Sequence, residues 1–263
     1  MADLTRFADG RSVKPERVLR GRRNFMKRAF TLVELLTVIA IITILAGMTM
    51  PAMSYARALG YRTDCMNNKR NILSMMHVYA NFSNGVIPFR ANGDTWGYIL
   101  RGDEDQYDKD FVPERALKCT VATANINGNA TNTIGMLYTT DTWAAAKKGY
   151  IAGQPEVSNL QHFGKFWVDG EDNDLVYMLT QMRHPSNLIL FADSFDKNGS
   201  SAYYFDPQTA GDDSTAHITT IHGKDAVVAF ADGRAAASSA KVLYEETNSK
   251  YFRDGDFVLQ TLP

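Results

Sequence analysis

A chain of 263 residues, 45% hydrophobic and 22% charged, is long enough to bury one sizeable domain or two small ones, and its composition excludes a disordered polypeptide. The formal charge of −1 is unevenly spread: residues 1–29 hold nine Lys or Arg against Asp3, Asp9 and Glu16, a net of +6, which leaves −7 for the rest. No basic patch follows residue 29, so the remainder lacks the surface that neutralises phosphates, and nucleic-acid binding is not expected.

Residues 1–29 are polar, Arg-rich and without periodicity, as in a targeting segment. Phe30–Met50 then gives twenty-one residues, almost all apolar, with one charge at Glu34. At about 1.5 Å per residue a helix of this length crosses a bilayer core of roughly 30 Å. The basic leader is expected to stay in the cytoplasm and the acidic remainder to lie outside it. A carboxylate in hydrocarbon costs several kcal/mol unless it is neutralised or paired, so Glu34 is a candidate functional residue; the plainer reading is an anchor that tolerates one Glu near its end.

Lys27-Arg28-Ala29 followed by Phe30-Thr-Leu-Val-Glu34-Leu resembles the processing site of type IV prepilins and type II secretion pseudopilins, with Ala29 where Gly is more common. The resemblance implies cleavage between Ala29 and Phe30 by a prepilin peptidase that also methylates the new amine, with Glu34 kept in the mature helix. It further implies self-association into a helical filament, driven by an inner-membrane assembly platform and its ATPase. A freed cationic amine at Phe30 is the natural partner for Glu34, and if it belongs to a neighbouring subunit the pair fixes axial register, as a buried polar group does in a coiled coil. A competing motif, Arg22-Arg23-Asn24-Phe25-Met26-Lys27, resembles a twin-arginine export signal, but the apolar run is long for a signal peptide and no Ala-x-Ala site closes it.

Helical character is expected to continue to about residue 82, with Pro51, Gly47 and Gly60 as points of weakness. Cys65, Ile72, Leu73, Met76, Tyr79 and Ala80 fall on one side and need a sheet to cover them, with Lys69 and Arg70 as polar interruptions and Arg57, Arg62 and Asp64 left wet. The two cysteines, Cys65 and Cys119, are expected to face an oxidising compartment and to pair, closing a loop worth about 4 kcal/mol; two buried thiols are the alternative.

From Val86 the sequence breaks into short apolar pieces between Gly, Asn and Asp clusters, which predicts an irregular α+β domain over residues 83–263, a small antiparallel sheet packed on the long helix of residues 30–82. The clearest strands are Leu188–Ala192 and Ala226–Ala231, the second running into a hairpin turn at Asp232-Gly233. Ala235–Ala240 reads as a weak return strand or a helix, and Asn125–Asn173 as loop-rich, anchored by Trp143 and Phe166-Trp167. His222, nine intervening residues and Asp232-Gly233 resemble the H-X9-DG motif of a prepilin-associated C-terminal domain; Cys65-Met-Asn-Asn-Lys69, Trp96 before Cys119, and Pro185–Asp193 follow that family's order. His222 is expected to hydrogen-bond backbone near the hairpin and fix its register; the sharper alternative makes it a ligand.

Asp103–Asp110 and Asp169–Asp174 are oxygen-rich loops of the kind that hold calcium, but neither has EF-hand spacing, and solvated acidic loops are the plainer reading. No nucleophile elbow, phosphate-binding glycine loop or His-Glu-x-x-His is present, so no enzyme activity, catalytic residue or other cofactor is expected. The rivals to a filament subunit are an anchored binding module or enzyme that uses the same signal without polymerising, and an exported soluble protein.

Overall fold

The computed structural model describes residues 31–102, 112–125, 133–139, 163, 165–170, 174–207, 210–212, 214–247 and 249–262. The chain divides into two units, Met1–Met50 and Pro51–Pro263. One helix, α1 (Leu32–Phe82, 51 residues), supplies the described part of the first and opens the second.

In the first unit every described side chain is exposed, from Leu32 at 74% to Met50 at 74%. The segment is long and apolar enough to cross a membrane. Its hydroxyls make no demand on a solvent: Thr37, Thr43 and Thr49 each donate to the carbonyl three residues back. That local satisfaction is what lets threonine sit in hydrocarbon.

In the second unit α1 buries Cys65, Lys69, Ile72, Leu73, Met76 and Ala80. Five of these fall on the expected stripe. Lys69 does not interrupt it, as the sequence reading had it, but lies within it, fully buried. Arg62, expected to stay in water, pairs with Asp225 at 2.8 Å and donates to the Ala237 carbonyl, while Arg70 donates to Ala235.

Among the described residues two sheets follow α1, larger than the single small sheet expected. β1 (Val86–Ala91), β2 (Asp94–Thr95), β4 (Trp167–Asp169) and β5 (Leu175–Met178) form an antiparallel sheet ordered β2-β1-β5-β4. Between them in the chain lie helices α2 (Trp96–Arg101) and α3 (Thr120–Asn125) and strand β3 (Ile134–Leu137). The larger sheet centres on β6 (Ile189–Phe195), flanked by β9 (Asp225–Phe230) with its return strand β10 (Ala235–Ser239), and by β8 (His217–Thr219), β11 (Tyr251–Arg253) and β12 (Leu259–Thr261). β3 pairs with β6 and with β7 (Tyr204–Phe205). β3 with β7 and β8 with β11 are parallel; the other pairs are antiparallel. The fold is thus a long helix packed with a largely antiparallel sheet, α+β as expected.

The stretch read as loop-rich contributes β3 and β4, with Phe166 and Trp167 buried; Trp143 lies outside the described residues. Ala235–Ser239 is a strand, and the helix begins after it, α4 (Ala240–Thr247). At Gly135 a Cβ would stand 2.6 Å from that of Ser194 and 2.8 Å from the Tyr204 carbonyl, so β3 approaches its neighbours this closely because the residue has no side chain.

Cys65 and Cys119 form a disulfide, joining α1 to the residue before α3 across 54 positions. Replacing both by Ser is expected to lower unfolding stability by about 4 kcal/mol on the chain-entropy account. Denaturant unfolding of the full chain in detergent measures this.

Candidate functional site

Two arrangements carry chemistry, one in each unit. The first is the start of α1. The Thr31 N–H and hydroxyl both donate to Glu34 Oε2 at 2.9 Å, and the Glu34 N–H donates back to Thr31 Oγ1 at 3.2 Å. This is a capping box, in which a Thr and a Glu three residues on satisfy each other's free backbone donors. Thr31-Leu-Val-Glu34 has that signature in sequence, which a reading of Glu34 as an intramembrane charge passed over. Both capping bonds use Oε2, so among the described residues Oε1 has no hydrogen bond and is available to a cation. Ala29 and Phe30 lie outside the described residues. Pro51 is inside α1 and has no N–H to offer the Gly47 carbonyl one turn back; its own carbonyl accepts from the Ser54 hydroxyl.

Residues 24–50 match the family model of the prokaryotic N-terminal methylation motif. The match runs from Asn24 through the expected cleavage point and Glu34 to Met50, and it supports a type IV pilin-like prepilin signal. No curated protein and no solved structure matches the chain. His222, Asp232 and Gly233 lie beyond the matched residues, so the motif speaks for the membrane segment and the domain has to be read from its own chemistry.

The second arrangement is a buried cluster in that domain. Asp193, on the fully buried strand β6, accepts from Lys69 Nζ at 2.6 Å through Oδ1, and both side chains are 0% exposed. Its other oxygen, Oδ2, stands 3.5 Å from His222 Nε2, which in turn lies 3.2 Å from Cys119 Sγ. Burial pushes the Lys69 ammonium below its ordinary pKa against the pull of Asp193. Burial would raise the Asp193 carboxyl, but the charges of Lys69 and His222 outweigh it and hold it below the usual value. Burial opposes charge on both partners, and their mutual attraction opposes burial.

His222 departs from its expected role. Its backbone pairs with Asp225, the N–H donating to that carbonyl at 3.2 Å, so the main chain already satisfies the turn and the imidazole is left to face the buried carboxylate. Asp232 and Gly233 sit at the far end of β9, roughly 20 Å of strand away. There Asp232 Oδ1 accepts from the Arg234 N–H at 2.9 Å, and Gly233 takes φ +94°, which suits a residue without Cβ. The H-X9-DG residues therefore bracket one strand and do not converge on one site.

Cys65, Cys119, Asp193 and His222 place one ligand atom each within 4.8 Å of one another. A thiolate is the form of cysteine that binds metal, and here both sulfurs are spent on the disulfide. Two donors remain, fewer than the four of a structural zinc site. Of the acidic loops, Asp103–Asp110 lies outside the described residues; in the other, Asp174 Oδ1 accepts from the Asn92 N–H at 2.9 Å.

Sequence reasoning missed Lys69 and Asp193. The spacing held the signal for the first, since residue 69 falls one turn after Cys65 and one turn before Ile72 and Leu73. With the two side chains as the ion pair that the structure shows, Lys69→Met is expected to cost about 3–5 kcal/mol, because it leaves a carboxylate buried without its cation, whereas Lys69→Met with Asp193→Leu recovers most of that loss. Denaturation midpoints of the three proteins decide it.

Proposed function

We propose that the chain is a pilin-like structural subunit, cut between Ala29 and Phe30 by a prepilin peptidase, methylated on the Phe30 amine and assembled through α1 into a type IV pilus-like or type II secretion pseudopilus filament. The observation that carries this reading is the methylation motif over residues 24–50 on a helix whose apolar side chains are all exposed from Leu32 to Met50. Before assembly the subunit is held in the inner membrane with its C-terminal domain outside the cytoplasm. An assembly platform and its ATPase supply the work of extrusion, and the subunit itself has no catalytic step. Pro51 and Gly60 let the helix adjust as subunits pack, and the domain carrying His222, Asp232 and Gly233 coats the filament.

Helix physics sharpens the part played by Glu34. An amine freed at Phe30 sits beside the N-terminus of α1, where the helix dipole disfavours a cation. It therefore seeks a carboxylate, and Glu34 Oε1 offers one to the same chain or to a neighbour. The capping box keeps Oε2 occupied while it does so.

The two roles can be separated by substitution. Glutamine replaces glutamate in a capping box but carries no charge. Glu34→Gln is expected to insert and fold normally, yet to lose filaments as completely as Glu34→Ala, both scored by electron microscopy and subunit abundance in sheared material. Normal filament abundance in Glu34→Gln overturns charge pairing and leaves capping as the residue's role.

A further inference from the structure

The filament reading leaves unused two ionic groups that are fully buried among the described residues. Lys69 Nζ and Asp193 Oδ1 are 2.6 Å apart at zero exposure, and they come from positions 124 residues apart. Two polar atoms beside them are orphans: Asp193 Oδ2 and His222 Nδ1 are buried and make no hydrogen bond. Such atoms are uncommon in native proteins and call for an explanation.

We propose that Lys69 and Asp193 are joined by an intramolecular isopeptide bond, formed by attack of Nζ on Cγ of Asp193 with loss of one water and with His222 carrying the proton. The orphan oxygen is then the atom that leaves.

The step balances without a cofactor. Within the hydrogen bond one proton passes from the ammonium to the carboxylate, giving a neutral amine and a carboxylic acid. The Nζ lone pair adds to Cγ, forming the N–C bond and pushing the carbonyl pair onto oxygen. His222, 3.5 Å from Oδ2, takes the surplus proton from the new ammonium nitrogen and passes it to that oxygen, giving a neutral tetrahedral diol. The proton on Oδ1 then becomes the second proton of Oδ2, so the Cγ–Oδ2 bond breaks with loss of water, Oδ1 becomes the amide carbonyl, and the imidazole ends as it began. An amine and an acid become an amide and water, with no change of oxidation state.

Three features of the site favour it. The fold holds amine and carboxyl together, which replaces a bimolecular encounter by a unimolecular step. Exclusion of water removes the reagent of the reverse reaction. The product also eliminates two charges that are costly to bury, whereas an ordinary surface pair would gain nothing from their removal. The disulfide at Cys65, one turn before Lys69, holds this face of α1 beside Cys119 and His222. The new bond would tie α1 covalently to β6, the central strand of the larger sheet.

The test is intact mass and peptide mapping of the full chain purified in detergent, reduced and unfolded. The expected result is a mass lower by one water and a branched peptide containing both Lys69 and Asp193. Full mass with Lys69 and Asp193 in separate linear peptides overturns the proposal, and so does a water loss that maps to Asp232-Gly233, the site of an ordinary succinimide. Lys69→Met is expected to restore full mass. His222→Gln, followed by mass after refolding, is expected to slow the appearance of the link about a hundredfold, as loss of a proton carrier does. A link that forms at the wild-type rate in His222→Gln overturns the part given to His222.

Discussion

The structure depends on a helix that water cannot accept. From Leu32 to Met50, α1 exposes leucine, isoleucine, valine and methionine in every direction. At about 25 cal/mol for each square ångström of apolar surface, no soluble arrangement of a single subunit leaves such a helix uncovered. Hydrocarbon covers it, or other helices of the same kind do, and a filament subunit needs both in turn. The same helix continues into the second unit as the buried stripe from Cys65 to Ala80.

Glu34 shows how one residue answers two requirements. The first turn of any helix leaves backbone donors unsatisfied, and in a non-aqueous setting they have to be met from within. Thr31 and Glu34 meet them with one carboxylate oxygen, leaving the other for a cation. A neutral glutamine would cap as well, so substitution separates the capping role from the charge.

Much of the fold was legible in the sequence because the strong periodic signals were long. The helix end near residue 82, the buried stripe, the strands at residues 188–192 and 226–231 and the turn at Asp232-Gly233 all rest on patterns that extend over several residues. The size of the larger sheet was not legible, since β3, β7, β8 and β11 are two to four residues long and too short to show alternation. Lys69 and Asp193 were missed for a different reason. Each was read by its own polarity, as a break in a stripe and as the end of a strand, although each occupies a position that the surrounding pattern buries. Two opposite charges that break rules in facing elements are best read as a pair. Glu34 was noticed for its cost, and its local hydrogen bonds with Thr31 went unread.

Domain and helix are matched to one task on this account. The helix supplies a surface that is stable only when surrounded, and the domain supplies a core tied to α1 by the Cys65–Cys119 disulfide and the buried Lys69–Asp193 contact. The most direct measurement is mass spectrometry on the chain recovered from fibres sheared off the cell surface and seen by electron microscopy. The account predicts fibres whose subunit begins at N-methylated Phe30. Recovery of the chain only as membrane-bound monomers that retain residues 1–29 would contradict it.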